Sequence, residues 1–333
     1  MAKINIGING FGRIGRMVTR SIMKYHKDEI NIVGINDLTD ADMLAYLFKR
    51  DSVHGTYEGE VSASEGSITI DGMEIDISSE RDPSNLNWDD LGAEVVVEST
   101  GLFRTREAAA QHLDAGAEKV IISAPAKSEG VETIVLGVND DKIDDDTQIY
   151  SNASCTTNCL APMVKVLDDA FGLEKAFMTT IHAYTGSQQI LDGPHKDPRR
   201  GRTAADNIVP TTTGAAKAVG LVLPHLDGKL DGSAVRVPVS DGSLTDLTAV
   251  LDQDVSEEEV HKAFKEAANG PMEGILQYTE EEIVSTDILS NPHSSIYDHG
   301  FTKTDGNLVK LMNWYDNEAG YSARTADLIT RIV

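Results

Sequence analysis

The residues most able to do chemistry lie together in Ser151-Asn152-Ala153-Ser154-Cys155-Thr156-Thr157-Asn158-Cys159. A cysteine in the first turn of a helix becomes a nucleophile when unpaired backbone amides and the positive end of the helix dipole favour its thiolate. The spacing predicts that arrangement. Gln148-Ile149-Tyr150 is strand-like, Ser154 is a candidate N-cap, and Leu160, Met163, Val164 and Leu167 recur at helical intervals. Cys155 is therefore expected to have a lowered pKa. An isolated cysteine is more often a small buried apolar residue; here the context favours the nucleophile. The chain has two cysteines, Cys155 and Cys159, four residues apart. They suit neither a disulfide framework nor a four-ligand zinc site, so no metal is expected and a reducing cytoplasm is implied.

The elements that must position this cysteine begin at the N-terminus. Ile4 to Asn9 alternates like a strand, and Gly10-Phe11-Gly12-Arg13-Ile14-Gly15 then opens a helix running to about Tyr25. A second strand, Ile30 to Asn36, ends at Asp37, about 20 residues on, where a dinucleotide site places its ribose-binding acid. The glycines let a pyrophosphate approach the helix amides, and Asp37 accepts hydrogen bonds from the adenosine ribose. A helix over Ala41–Phe48 and a hairpin, Ser67–Ile70 with Met73–Ile77, follow. Glu94–Glu98 and Lys119–Ile122 read as further strands, with a helix from Arg104 to Ala115 between them. Beyond Cys159 come strand candidates Phe177–His182, Ala234–Val239 and Leu244–Leu251, and a helix from Ser256 to Asn269.

The fold class read from this order is α/β: a Rossmann-type dinucleotide-binding domain over residues 1–153, then an α+β catalytic domain with a mainly antiparallel sheet over 154–318. The last helix, 319–333, is expected to return to the first domain. The polar stretch 183–208 is too long for an idle loop and points to a site or an interface.

Composition narrows the function classes. With 40% hydrophobic and 25% charged residues the chain reads as globular. Lys3 leads straight into the first strand, and neither a cleavable leader nor a membrane-length apolar run is evident, so the protein is expected to be neither exported nor embedded. Acidic side chains number 54 against 29 basic, a formal net charge of −25, which excludes nucleic acid as a natural partner. The acids are dispersed, as in Asp144-Asp145-Asp146, Glu257-Glu258-Glu259 and Glu280-Glu281-Glu282. That dispersion suggests adaptation to concentrated salt, where screening limits self-repulsion.

From end to end the chain resembles the phosphorylating glyceraldehyde-3-phosphate dehydrogenases. The likeness is carried by Asn9 to Arg16, Asn36-Asp37-Leu38, Glu80-Arg81-Asp82-Pro83, Ser99-Thr100-Gly101, Ser123-Ala124-Pro125, Ala153 to Cys159, Pro194-His195-Lys196-Asp197, Pro210 to Lys217 and Trp314 to Glu318. The resemblance implies reversible oxidation of glyceraldehyde 3-phosphate to 1,3-bisphosphoglycerate with NAD and inorganic phosphate, within a homotetramer. It implies that Cys155 attacks the aldehyde and His182 moves the protons. The cofactor would rest on Gly10, Gly12, Arg13, Ile14, Gly15, Asp37, Arg81, Ser123 and Asn317. Thr185 and Arg236 would hold the substrate phosphate, and Ser154, Thr156, Thr213 and Gly214 the attacking phosphate, with Arg200 as an addition. The stretch 183–208 would border a neighbouring subunit.

Three departures stand out: Gly193 before Pro194 where Leu is usual in NAD-specific relatives, Gly186-Ser187 where Asn-Asp is frequent, and Ala319 where Trp is common. An erythrose-4-phosphate dehydrogenase is the nearest alternative enzyme, and a non-catalytic redox sensor built on Cys155 the alternative of another class.

Overall fold

The structure is a computed structural model and describes residues 2–333. The chain forms two compact units. The first runs through Ile134, resumes over Asp141–Ala153 and takes in Ser322–Val333; the second comprises Val135–Asp140 and Ser154–Tyr321.

The first unit is built on a nine-stranded sheet. Six of its strands, Met73–Ser78, Ile30–Asn36, Ile4–Asn9, Val95–Glu98, Lys119–Ile122 and Ile149–Ser151, lie side by side in that order and run parallel. Strands buried on both faces need apolar residues at successive positions, and Val95, Val96 and Val97 are all fully buried. Successive strands add to opposite sides of Ile4–Asn9, so the order reverses between it and Val95–Glu98. Open α/β sheets bind ligands at the carboxyl ends of such a pair. The expected hairpin is present, and its second strand also joins the main sheet, pairing in parallel with Ile30–Asn36. The glycine turn leads into the helix Arg13–Ser21, which continues as a π-helical segment, Ile22–His26. The expected helix after the fourth parallel strand starts at Arg106, because Thr105 caps it by accepting from Ala108 N. The terminal segment is tied to this unit: Lys119 Nζ donates to Ile332 O, and Asn152 Nδ2 to Thr325 Oγ1.

The second unit holds a mixed sheet of eight strands. Its centre is Leu173–Ala183, parallel to Leu230–Val237 on one side and antiparallel to Ser243–Leu251 on the other. Leu308–Tyr315 then adds antiparallel to Ser243–Leu251. The helices Cys155–Phe171 and Ala215–Val222 pack on this sheet. Leu160, Met163, Val164 and Leu167, the periodic residues of the first of these helices, are fully buried. Alternate residues of the central strand point away from it, and Phe177 is 70% exposed. Residues 184–208 contain no helix or strand, yet are pinned by their own backbone bonds, Gln189 N to Arg200 O and Gly193 N to Gly201 O among them. Among the described residues no helix is long and apolar enough to cross a membrane.

Candidate active site

In the second unit, Ser154 caps the helix that starts at Cys155; its Oγ accepts from Thr157 N at 3.0 Å. That geometry sets Cys155 in the first turn, and its Sγ lies 3.5 Å from His182 Nε2. His182 stands on the central strand in register with Arg236 on the parallel neighbour. Its Nδ1 is 2.8 Å from both Ala183 O and Arg236 Nη1. A proton on Nδ1 satisfies the carbonyl and leaves the Nε2 lone pair facing the sulfur, which is the form a general base requires. Arg236 can only donate, so its approach competes with that proton. Burial, reinforced by the Arg236 charge, pushes His182 down to about 3, so the imidazole is neutral over the physiological range.

The lowered pKa expected for Cys155 is not what the structure gives: burial pushes the thiol up, while Arg236 and Thr156 pull it down. Magnitudes explain the reversal. A helix terminus contributes about 0.3–1 kcal/mol, less than one pKa unit, whereas enclosure shifts a group by up to ~3–5 units. Cys155 therefore needs its neighbour to take the proton. Cys159 is fully enclosed, with its sulfur 3.6 Å from Ser295 Oγ, and is pushed up to about 12 by burial.

Two buried groups missed at the sequence level support the pair. Tyr315 OH bridges Thr156 Oγ1 and Thr180 Oγ1, each at 2.8 Å, and its ring lies edge-on to His182. Thr180 was findable, since it precedes His182 by two on a strand and so shares its face. Tyr315 lies within the Trp314 to Glu318 motif, which by itself gives the residue no role.

The anion-binding candidates divide. Arg236 is half-buried, its buried Nε has no hydrogen-bond partner among the described residues, and the charge of Arg200 reaches it. Arg200 Nε donates to Thr211 Oγ1 at 2.9 Å, on the strand that pairs with that of Arg236. Gly214 caps the helix Ala215–Val222 without a side-chain bond, and Thr213 Oγ1 accepts from Ala215 N. Thr185 lies two residues past the central strand, with its hydroxyl on Ser187. Thr156 differs from expectation in its side chain: the hydroxyl turns inward to Tyr315, leaving the backbone amide as its group for an anion. Asn317 Oδ1 accepts from Ser243 Oγ at 2.6 Å, which leaves Nδ2 as the donor end for a ligand.

In the first unit, Gly10 has φ +91°, and a Cβ there would meet Thr100 N at 2.7 Å; a Cβ on Gly15 would meet Gly10 O at 2.2 Å. Among the described residues other than its chain neighbours, no atom lies within 4 Å of a Cβ position on Gly12, and no side chain caps the helix it precedes. This open, uncapped helix start is what a pyrophosphate needs. Asp37 is fixed at the end of its strand by Phe11 N (2.8 Å) and Thr39 N (3.0 Å). The guanidinium of Arg13 turns to Asp51 at 2.6 Å, so its contribution to a cofactor comes from its backbone. Ile14 is half-buried and Arg81 is exposed. Ser123 follows its strand, donating its backbone N–H to Glu98 O.

Residues 4–106 match the family model for the NAD binding domain of glyceraldehyde 3-phosphate dehydrogenase, and residues 154–317 that for its C-terminal domain. A glyceraldehyde-3-phosphate dehydrogenase of Priestia megaterium is 58% identical over 98% of this chain and 97% of its own length. Those of Bacillus subtilis and Geobacillus stearothermophilus are 56% and 55% identical, each over 99% of this chain and 98% of theirs.

Proposed function

The chain belongs to the glyceraldehyde-3-phosphate dehydrogenase family, and on that premise we propose that it oxidises glyceraldehyde 3-phosphate reversibly, with NAD and inorganic phosphate, in glycolysis and gluconeogenesis. The observation that carries this is the 3.5 Å contact of Cys155 Sγ, at a helix start, with the neutral imidazole of His182.

As Sγ adds to the aldehyde carbon, Nε2 takes the thiol proton and returns it to the carbonyl oxygen. The Cys155 amide and the protonated Nε2 hold the oxyanion in between. NAD held at the Gly10–Gly15 turn would supply the hydride acceptor, and His182 would remove the hydroxyl proton to leave a thioester on Cys155. A phosphate oxygen then attacks that carbon, the C–S bond breaks, and the sulfur regains its proton. Arg236 and Thr185 hold the substrate phosphate. Ser154, the amide of Thr156, Thr213 and Gly214 receive the attacking phosphate, with Arg200 beside them. Gly10, Gly12, Arg13, Ile14, Gly15, Asp37, Arg81 and Ser123 serve the cofactor, and Asn317 Nδ2 its carboxamide.

The same proposal extends to a cytoplasmic homotetramer adapted to salt. Phe177, Ile190, Leu191 and Ile208 are each at least 70% exposed, and side chains of this size are what a partner subunit covers. Two free cysteines suit a reducing compartment. The test is the rate on glyceraldehyde 3-phosphate and on erythrose 4-phosphate, with and without phosphate. Preference for the first aldehyde and dependence on phosphate are expected; hydrolytic turnover of the second contradicts the proposal.

A further inference from the structure

The first unit contains a buried relay that this chemistry does not use. Trp88 Nε1 donates to His112 Nδ1 at 3.1 Å. An indole nitrogen only donates, so the imidazole carries its own proton on Nε2. That nitrogen is 3.0 Å from Glu98 Oε2, which also takes Asn9 Nδ2 at 2.6 Å. The other oxygen, Oε1, accepts from Thr100 N at 2.9 Å and from the Thr100 hydroxyl. Glu98 is 1% exposed, accepts four hydrogen bonds, and has no Lys or Arg among these partners. Asn9 Oδ1 continues the relay by accepting from Asn36 Nδ2 at 2.7 Å, and Asn36 Oδ1 accepts from Glu80 N at 2.8 Å.

Burying a carboxylate is costly unless each lone pair is bonded, and a leucine would fill the space without that cost. The placement gives a reason for keeping it. Asn9, Asn36 and Glu98 are the last residues of three adjacent parallel strands; Asn9 and Asn36 precede Gly10 and Asp37 of the proposed dinucleotide site, and Glu98 precedes the Ser99-Thr100 turn that lies against Gly10. The turn held by Glu98 is the one Gly10 packs against, and Ser99 Oγ donates to Gly10 O at 2.6 Å.

We propose that Glu98 is a positioning residue for NAD, its carboxylate locking the Ser99-Thr100 turn and the ends of the neighbouring strands in the geometry the cofactor requires. A glutamine there points an N–H donor at Asn9 and His112, or at Thr100, so donor meets donor either way. The inference rests on the cofactor occupying the Gly10–Gly15 turn, which Gly12→Ala tests separately, because its methyl meets no described residue beyond its chain neighbours.

The experiment is steady-state kinetics of Glu98→Gln, Trp88→Phe and Gly12→Ala in the full chain. Glu98→Gln should raise KM for NAD about tenfold or more, with kcat and KM for glyceraldehyde 3-phosphate changed by no more than about twofold. Trp88→Phe, at the far end of the relay, should raise KM for NAD by about threefold with the same selectivity. A general structural defect would move all three parameters. If Gly12→Ala raises KM for NAD and a folded Glu98→Gln does not, the positioning role is overturned alone. If neither does, the cofactor lies elsewhere and the inference falls with that assignment. Should Glu98→Gln fail to fold, unchanged KM for NAD in both Trp88→Phe and Thr100→Val overturns it.

Discussion

His182 faces Cys155 from the next element as a neutral base: Nε2 is 3.5 Å from the sulfur, and burial with the Arg236 charge holds the ring down to about 3. Removing the partners should therefore have unequal effects. Cys155→Ala abolishes turnover. His182→Asn keeps the nucleophile but loses the proton carrier, lowering kcat by about 10²–10⁴. Cys159→Ser retains activity, since the Cys159 sulfur is enclosed among Ser295 and Asn313. Loss of turnover in Cys159→Ser with survival in Cys155→Ala would reverse the assignment. Rates for the three variants decide it.

Cofactor preference follows from Asp37. Its carboxylate is anchored by two amides; on the proposed cofactor site a 2′-phosphate would lie beside it, and repulsion at about 5 Å would amount to ~1–3 kcal/mol, or roughly ten- to a hundredfold in affinity. The wild-type protein should favour NAD over NADP in kcat/KM, and Asp37→Ala should narrow that ratio about tenfold or more. A higher kcat/KM with NADP in the wild type would refute the expectation, the Gly193 departure notwithstanding.

Asp241 links pH to stability. Burial, with the charge of Asp316 beside it, pushes this carboxyl up to about 9, whereas in the unfolded chain it ionises near 4. The native state thus keeps a proton that the unfolded state loses. The stabilisation is complete below the unfolded pKa and is lost as pH rises through the folded one. Asp241→Asn cannot ionise, so its melting temperature should exceed that of the wild type by a margin that widens between pH 5 and pH 9. A margin constant across that range would contradict the shifted carboxyl.

On the proposed assembly, the acidic surface should make subunit association depend on salt. Like charges repel over about 10 Å at 0.1 M ionic strength but only about 3 Å at 1 M, and every subunit carries a formal −25. Molecular mass and activity, followed together through a potassium chloride series, should fall together as salt is withdrawn. A fully active tetramer in dilute buffer would show that the acids serve another end.

The glycine turn, Asp37, and the Ser154-capped helix with its buried periodic face were legible because local rules fix them: positive φ, uncapped amides and helical spacing. The strand Leu308–Tyr315 was not, since Met312 and Trp314 on its outer face blur the alternation. The helix Ala215–Val222 is too short for its periodicity to show after Thr213-Gly214. Side-chain direction was beyond local rules. Arg13 turns to Asp51, and Thr156 to Tyr315, through contacts distant in sequence. The Cys155 thiol illustrates the same limit, because the dipole is written in the sequence and the enclosure that outweighs it is not. Glu98 closes its strand as a lone acid after three valines, a visible signal whose partners only the fold reveals.

On the proposed reaction, Cys155 should carry a thioester that waits for phosphate. Enzyme mixed with glyceraldehyde 3-phosphate and NAD in phosphate-free buffer should give a burst of NADH equal to one per active Cys155 and then stop. Mass spectrometry of the quenched protein should find the acyl group on the peptide containing Cys155, and added phosphate should start steady turnover. Sustained NADH formation without phosphate, or a burst that leaves Cys155 unmodified, would contradict the account.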